Sequence, residues 1–301
     1  MLFRSANLFN VVGNYVLAFG KLGVPAMGLA GLAIASALSH LLMGAGLLGY
    51  VVYHRRGLFR PYRLFDRWYR WQPQTLRRLL SLGLPIGVVT ILENGLFTVM
   101  TLMVGALGTA VLAAQQLALQ TIVVVFMVPL GLSYAATARV GQWYGRGDWV
   151  GVKRAAAVGM ALTIAVMTAS GVLFVLFPTG LIGLYLNVDD PANQSVVVIG
   201  VAMLTVAGFG QVVDGVQRTA NGVLQGLQDT RVPLLISSFA FWGVGIVSGY
   251  GLGFHTSLGG VGIWIGAYLG LATAAIGYLW RFLRLLKAAR ETVLPPQPCL
   301  K

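Results

Sequence analysis

The chain has 301 residues, of which 57% are hydrophobic and only 10% charged. A soluble domain carries about 25% charged residues, so a soluble enzyme or scaffold is excluded. The net charge of +13 would suggest nucleic acid in a soluble protein, but here the bases collect in alternate loops, the orientation signal of a polytopic membrane protein.

Eight apolar runs are each long enough to cross ~30 Å of hydrocarbon as a helix. They predict spans at 2–20, 26–53, 79–104, 110–137, 153–177, 195–222, 232–252 and 258–283. The runs are continuous rather than alternating, which selects helices over a barrel. The second loop holds Arg55, Arg56, Arg60, Arg63, Arg67, Arg70, Arg77 and Arg78, and the fourth Arg139, Arg146, Lys153 and Arg154. The sixth is assigned Arg231, with Arg218 a few turns before it, and the tail carries Arg281, Arg284, Lys287, Arg290 and Lys301. With Arg4 added, every base except Lys21 falls on one side, which predicts that both termini are cytoplasmic.

The loop over 58–78 interleaves arginine with Phe59, Tyr62, Phe65, Trp68, Tyr69 and Trp71. Such interleaving can bind nucleic acid. Because it flanks two spans, it reads instead as an interfacial segment, rings toward the acyl chains and guanidiniums toward phosphate. It also reads as a linker between two bundles. A repeat supports that division: residues 27–35, MGLAGLAIA, match 258–266, LGGVGIWIG, and Phe19-Gly20 falls opposite Tyr250-Gly251 at the same offset. Small residues at this spacing let helices approach closely. The expected organisation is 1–53 as the last two helices of an N-terminal lobe, 54–78 as a cytoplasmic interfacial linker, 79–285 as a complete six-helix lobe, and 286–301 as a cytoplasmic tail. The chain is thus expected to be a fragment that lacks four helices before Met1.

Outside the loops there are two carboxylates, Glu93 in the third span and Asp214 in the sixth. A carboxylate within a span is costly and marks a functional site by default. Two in one bundle call for a cation between them, a proton or a sodium ion. Sodium needs further oxygens, and Gln211, Asn94, Gln116 and Gln120 are near in sequence, the last two sharing a helix face at i, i+4. The same amides could equally be structural interhelical hydrogen bonds, worth ~1 kcal/mol each. Pro85 and Pro129 lie inside spans, where proline makes either a bending point or a static kink. His40, with no titratable neighbour in sequence, reads as a packing residue. No nucleophile–base pair, phosphate loop or metal spacing such as HExxH occurs, so no catalytic residue and no cofactor is expected. The single cysteine, Cys299, leaves no disulfide framework or cysteine metal site.

Four stretches then carry a resemblance: GLPIGVVTILENGLF (83–97), LAAQQLALQ (112–120), VPLGLSYAATARVGQWYGRGD (128–148) and QVVDGVQRTANGVLQGLQDTRVP (211–233). In order and spacing they resemble the C-terminal half of MATE (multidrug and toxic compound extrusion) transporters of the NorM-like bacterial branch. The resemblance implies a twelve-helix antiporter of the bacterial inner membrane, read as monomeric. It would export small cationic amphiphiles in exchange for Na+ or H+. Glu93 and Asp214 fall where that branch has its C-lobe cation-site carboxylates. The branch often has a tyrosine one turn before the aspartate, where this chain has Gly210. Two other readings remain. A lipid-linked oligosaccharide flippase of the same superfamily would lean on basic cavity residues, and none is expected mid-span. A membrane scaffold remnant would insert without transporting.

Overall fold

The computed structural model describes residues 2–21, 25–54 and 72–292. Every regular element among them is helical: α1 (Leu2–Phe19), α2 (Gly28–Tyr53), α3 (Pro73–Ala106), α4 (Thr109–Gly145), α5 (Trp149–Leu176) and the short α6 (Pro178–Ile182). A 3-10 turn (Pro191–Asn193) leads into α7 (Gln194–Gly226). Then α8 (Arg231–Ser237), a π-helical segment (Ser238–Ile246) and α9 (Val247–Phe254) run on as one rod, and α10 (Gly259–Thr292) follows. Seven helices among the described residues are long and apolar enough to cross a membrane. The expected eighth, α1, is not one of them: it is only 18 residues long, and Arg4, Asn7, Asn10 and Asn14 dilute it. Most of the arginine–aromatic loop (55–71), the end of the tail (293–301) and with it Cys299 lie outside the described residues.

The chain divides into two compact units, Met1–Pro73 and Gln74–Lys301. In the first, α1 and α2 form a hairpin. Asn10 Nδ2 donates to Ser39 Oγ at 3.2 Å, and Asn14 Nδ2 donates to Asn10 Oδ1 at 3.0 Å. A Cβ on Gly31 would stand 2.5 Å from the Leu17 carbonyl oxygen, so only glycine allows this approach. Asn10→Ala should weaken the hairpin by about 0.6–1 kcal/mol, the usual worth of an interhelical polar contact in a bilayer, readable as a shift in the denaturation midpoint in mixed micelles. His40 is exposed, its Nδ1 2.7 Å from the Ser36 carbonyl, rather than packed inside.

In the second unit α7 is the central strut, packed by α4, α5 and α10. Its glycines explain why. A Cβ on Gly208 would meet Val175 Cγ2 at 2.7 Å and Gly171 O at 2.9 Å; one on Gly226 would meet Thr137 O at 2.7 Å. Hydroxyls of α4 lock the contact: Ser133 Oγ donates to Arg218 O at 3.0 Å and Thr137 Oγ1 to Gly222 O at 2.8 Å. By contrast, α3 joins the bundle through side chains such as Leu96, Met100 and Val104, which enter two apolar clusters. Gln115 Nε2 on α4 donates to Thr101 Oγ1 on α3 at 2.8 Å. Helices α3 and α4 run through Pro85 and Pro129 without a break. Large apolar side chains such as Leu102, Phe209 and Phe239 point outward, as a lipid-facing surface requires.

The two matching nine-residue stretches share local geometry. Gly28 and Gly259 both take φ of 52°, a left-handed conformation open to glycine, and each opens a helix. Gly31 N–H bonds Met27 O at 3.4 Å, and Gly262 N–H bonds Leu258 O at 3.4 Å. A Cβ on Gly262 would strike the Leu252 carbonyl, as one on Gly31 strikes Leu17. The likeness stops upstream: Gly20 has φ of 67° and ends α1, whereas Gly251 lies inside α9.

Candidate cation site

Glu93 sits on α3 and Asp214 on α7, 7% and 5% exposed. Both line a cavity of about 320 Å³, together with Thr90, Asn94, Phe97, Leu119, Ile122, Val123, Phe126 and Arg218. Three charges therefore converge on a wall that, apart from Thr90 and Asn94, is aliphatic and aromatic.

The third charge corrects the sequence reading, which groups Arg218 with the helix-end base Arg231 and expects no base mid-span. Arg218 Nη1 donates to Glu93 Oε2 at 2.8 Å, the two side chains being 16% and 9% exposed. Its guanidinium carbon also lies 5.8 Å from the Phe126 ring centroid, within cation–π range. The partner sought for Glu93 is thus a guanidinium. Asp214 lies one turn before Arg218 on the same helix, and among the described residues no hydrogen bond or ion pair engages its carboxylate. The sign that would have found Arg218 is this i, i+4 spacing: a base one turn from a membrane carboxylate shares its face.

The neutral residues separate into two groups. Asn94 lines the cavity, and its Nδ2 donates to Thr90 O at 2.8 Å, which leaves the amide oxygen for a cation. Gln116 and Gln120 do share a face of α4, but it is an exposed one and does not line the cavity. Gln115, just before them, is the buried glutamine, bonded to Thr101. Gln211 is fully buried one turn before Asp214 with both amide atoms unpartnered, yet it too lies outside the cavity wall; it faces α5, its Cβ against Gly171. Among the described residues no three His, Cys, Asp or Glu side chains come together as a metal cage. Gly210 has its own explanation: the Tyr268 ring of α10 occupies the space its Cβ would need. A tyrosine is therefore packed one turn before Asp214, supplied by another helix.

Comparison with known proteins agrees with this architecture. A family model described as MatE matches residues 85–251. The chain is 48% identical over 291 residues to a probable multidrug resistance protein NorM of Synechocystis sp. (strain ATCC 27184 / PCC 6803 / Kazusa), covering 97% of this chain and 62% of that protein. It is 40% identical over 273 residues to the multidrug resistance protein NorM of Burkholderia vietnamiensis, covering 91% of this chain and 58% of that one. The fold matches a MATE structure in a bent conformation with a TM-score of 0.80 at 20% identity, over 96% of this chain and 62% of that chain. An outward-facing multidrug resistance MATE transporter of the MOP superfamily matches with a TM-score of 0.80 at 20% identity, over 95% and 62%. The chain spans less than two thirds of the length of these relatives. A multi-pass helical membrane protein that matches the MatE model over more than half its length and resembles bacterial NorM proteins almost end to end, this chain belongs to the MATE family.

Proposed function

We propose that the chain is the C-terminal part of a cation-coupled antiporter that exports small cationic amphiphiles across a bacterial inner membrane. The coupling ion is Na+ or H+, and both termini are cytoplasmic. On this reading α1 and α2 belong to an N-terminal lobe, and α3 to α10 form the C-terminal lobe. It acts as a monomer, with membrane lipid and the transported compound as its partners and no nucleic acid. The observation that carries the proposal is the cavity, whose wall joins Glu93, Asp214, Asn94 and the Glu93-paired Arg218 to Phe97, Leu119, Ile122, Val123 and Phe126. An amphiphilic cation has the same two halves. The relatives named multidrug resistance proteins support the direction of transport.

The discovery of Arg218 in the cavity revives the oligosaccharide flippase, which needs bases there. That arginine is already paired with Glu93, and an incoming diphosphate would meet the free Asp214 carboxylate. The cationic reading is therefore the better supported.

Asp214→Asn should abolish Na+- or H+-stimulated ethidium efflux from everted vesicles or proteoliposomes, while the protein still inserts and purifies. Stimulated efflux that persists in the variant would overturn the site. The scaffold reading instead predicts stable insertion of this chain with no transport in liposomes.

A further inference from the structure

Three charged side chains line the cavity, and one of them is a base that cannot leave. Arginine keeps its proton at all working pH values, so Arg218 supplies a permanent positive charge. It lies 2.8 Å from Glu93 on the neighbouring helix and one turn from Asp214 on its own. With both carboxylates ionised, they and the guanidinium leave a single negative charge beside a largely apolar wall. Glu93 is occupied by the guanidinium, while Asp214, 5% exposed, is held by no hydrogen bond or ion pair among the described residues.

We propose that Arg218 is the resident cation of this site: it neutralises Glu93, leaves Asp214 to take the exchangeable ion or the substrate's charge, and limits the cavity to one external positive charge. This rests on the cavity being the cation site. It assigns the two carboxylates unequal work. Asp214 binds the exchanged cation, and Glu93 acts by holding Arg218 away from Asp214. An i, i+4 guanidinium on the same helix can reach Asp214 once Glu93 no longer competes for it.

That competition has a counterintuitive consequence. Glu93→Gln releases Arg218 to Asp214, the site becomes neutral, and cation binding falls although Asp214 is untouched. Removing the guanidinium as well, in Glu93→Gln/Arg218→Met, restores one net negative charge and should restore binding. A merely structural pair would behave the other way, with the double variant no better than the single.

The test is equilibrium binding of radiolabelled tetraphenylphosphonium to the purified chain in detergent, with Na+ as competitor. The expected result is one probe bound per chain in the unmodified protein. Glu93→Gln should weaken binding by about tenfold or more, since close charge pairs in shielded sites carry at least that much coupling. Glu93→Gln/Arg218→Met should return to within about threefold of the starting affinity. The double variant leaves only the carboxylate that is already unpaired in the unmodified protein, Asp214, so its unfolding midpoint also serves as the folding control. Two probes per chain, or a double variant as weak as Glu93→Gln, would overturn the resident-cation assignment. Asp214→Asn separates this from the broader reading: if it binds the probe normally, the cavity is not the cation site at all. If it loses binding while the rescue fails, only the role of Arg218 falls.

Discussion

Arg218→Met is expected to cost about 3–5 kcal/mol of stability, the penalty for leaving one member of a buried ion pair behind. Glu93 is 7% exposed and faces an apolar wall, so water does not replace the lost guanidinium. Arg281 offers the comparison. Its Nε donates to Asp229 Oδ2 at 2.6 Å, but that arginine side chain is 29% exposed. Arg281→Met should therefore cost no more than about 1 kcal/mol, because solvent screens and replaces such a pair. Glu93→Gln/Arg218→Met should recover most of the first loss, since a neutral pair of similar volume suits the interior about as well as the ions. Unfolding midpoints in detergent, followed by tryptophan fluorescence, measure all three. Equal losses for Arg218→Met and Arg281→Met would refute the burial argument.

The second large effect is steric. A Cβ on Gly266 of α10 would lie on the backbone nitrogen and Cα of Gly249 in α9. Gly270 repeats the contact one turn on, its Cβ 2.8 Å from Gly245 Cα and from Ala240 O. A clash with a side-chain tip can be relieved by a rotamer change; a clash with backbone moves a helix. Gly266→Leu should thus reach or exceed the upper end of overpacking costs, ~3 kcal/mol, and reduce the yield of monodisperse protein. Gly251→Leu, where a Cβ would meet nothing within 4 Å, should cost less than half of that. Yield and the unfolding midpoint of the two variants check the difference. Comparable behaviour would show that the α9–α10 approach is not tight.

Much of the fold was legible because hydropathy in a membrane is nearly a direct readout. Seven of the eight expected spans fall on helices long and apolar enough to cross, but those helices extend past the apolar windows: α3 starts at Pro73 and α4 continues to Gly145, beyond the spans expected to start at 79 and end at 137. Helix ends outside the hydrocarbon need no hydrophobic residues, so the window method stops short of them. Glu93 and Asp214 were legible for the same reason, each being a rare charge in an apolar run. Arg218 was not. Counting bases by loop absorbs an arginine near a helix end into the orientation signal, and the one mark of its inward face, Asp214 a turn before it, goes unread. Gln116 and Gln120 show the complementary failure. Their spacing correctly says that they share a face, but spacing cannot say where that face looks. Gly210 shows a third: the space left by a missing side chain was filled from α10, 58 positions away, by Tyr268.

The ion pair also bears on how the chain is made. On biological insertion scales an arginine or aspartate near the centre of a helix costs about 2.5–3.5 kcal/mol to partition into lipid. Helix α7 carries Asp214 and Arg218 one turn apart, so it brings both charges with it when it meets the bilayer. Glu93 precedes Arg218 by 125 residues. Synthesis therefore delivers α3 first, and its carboxylate is already in the membrane when the guanidinium arrives to meet it.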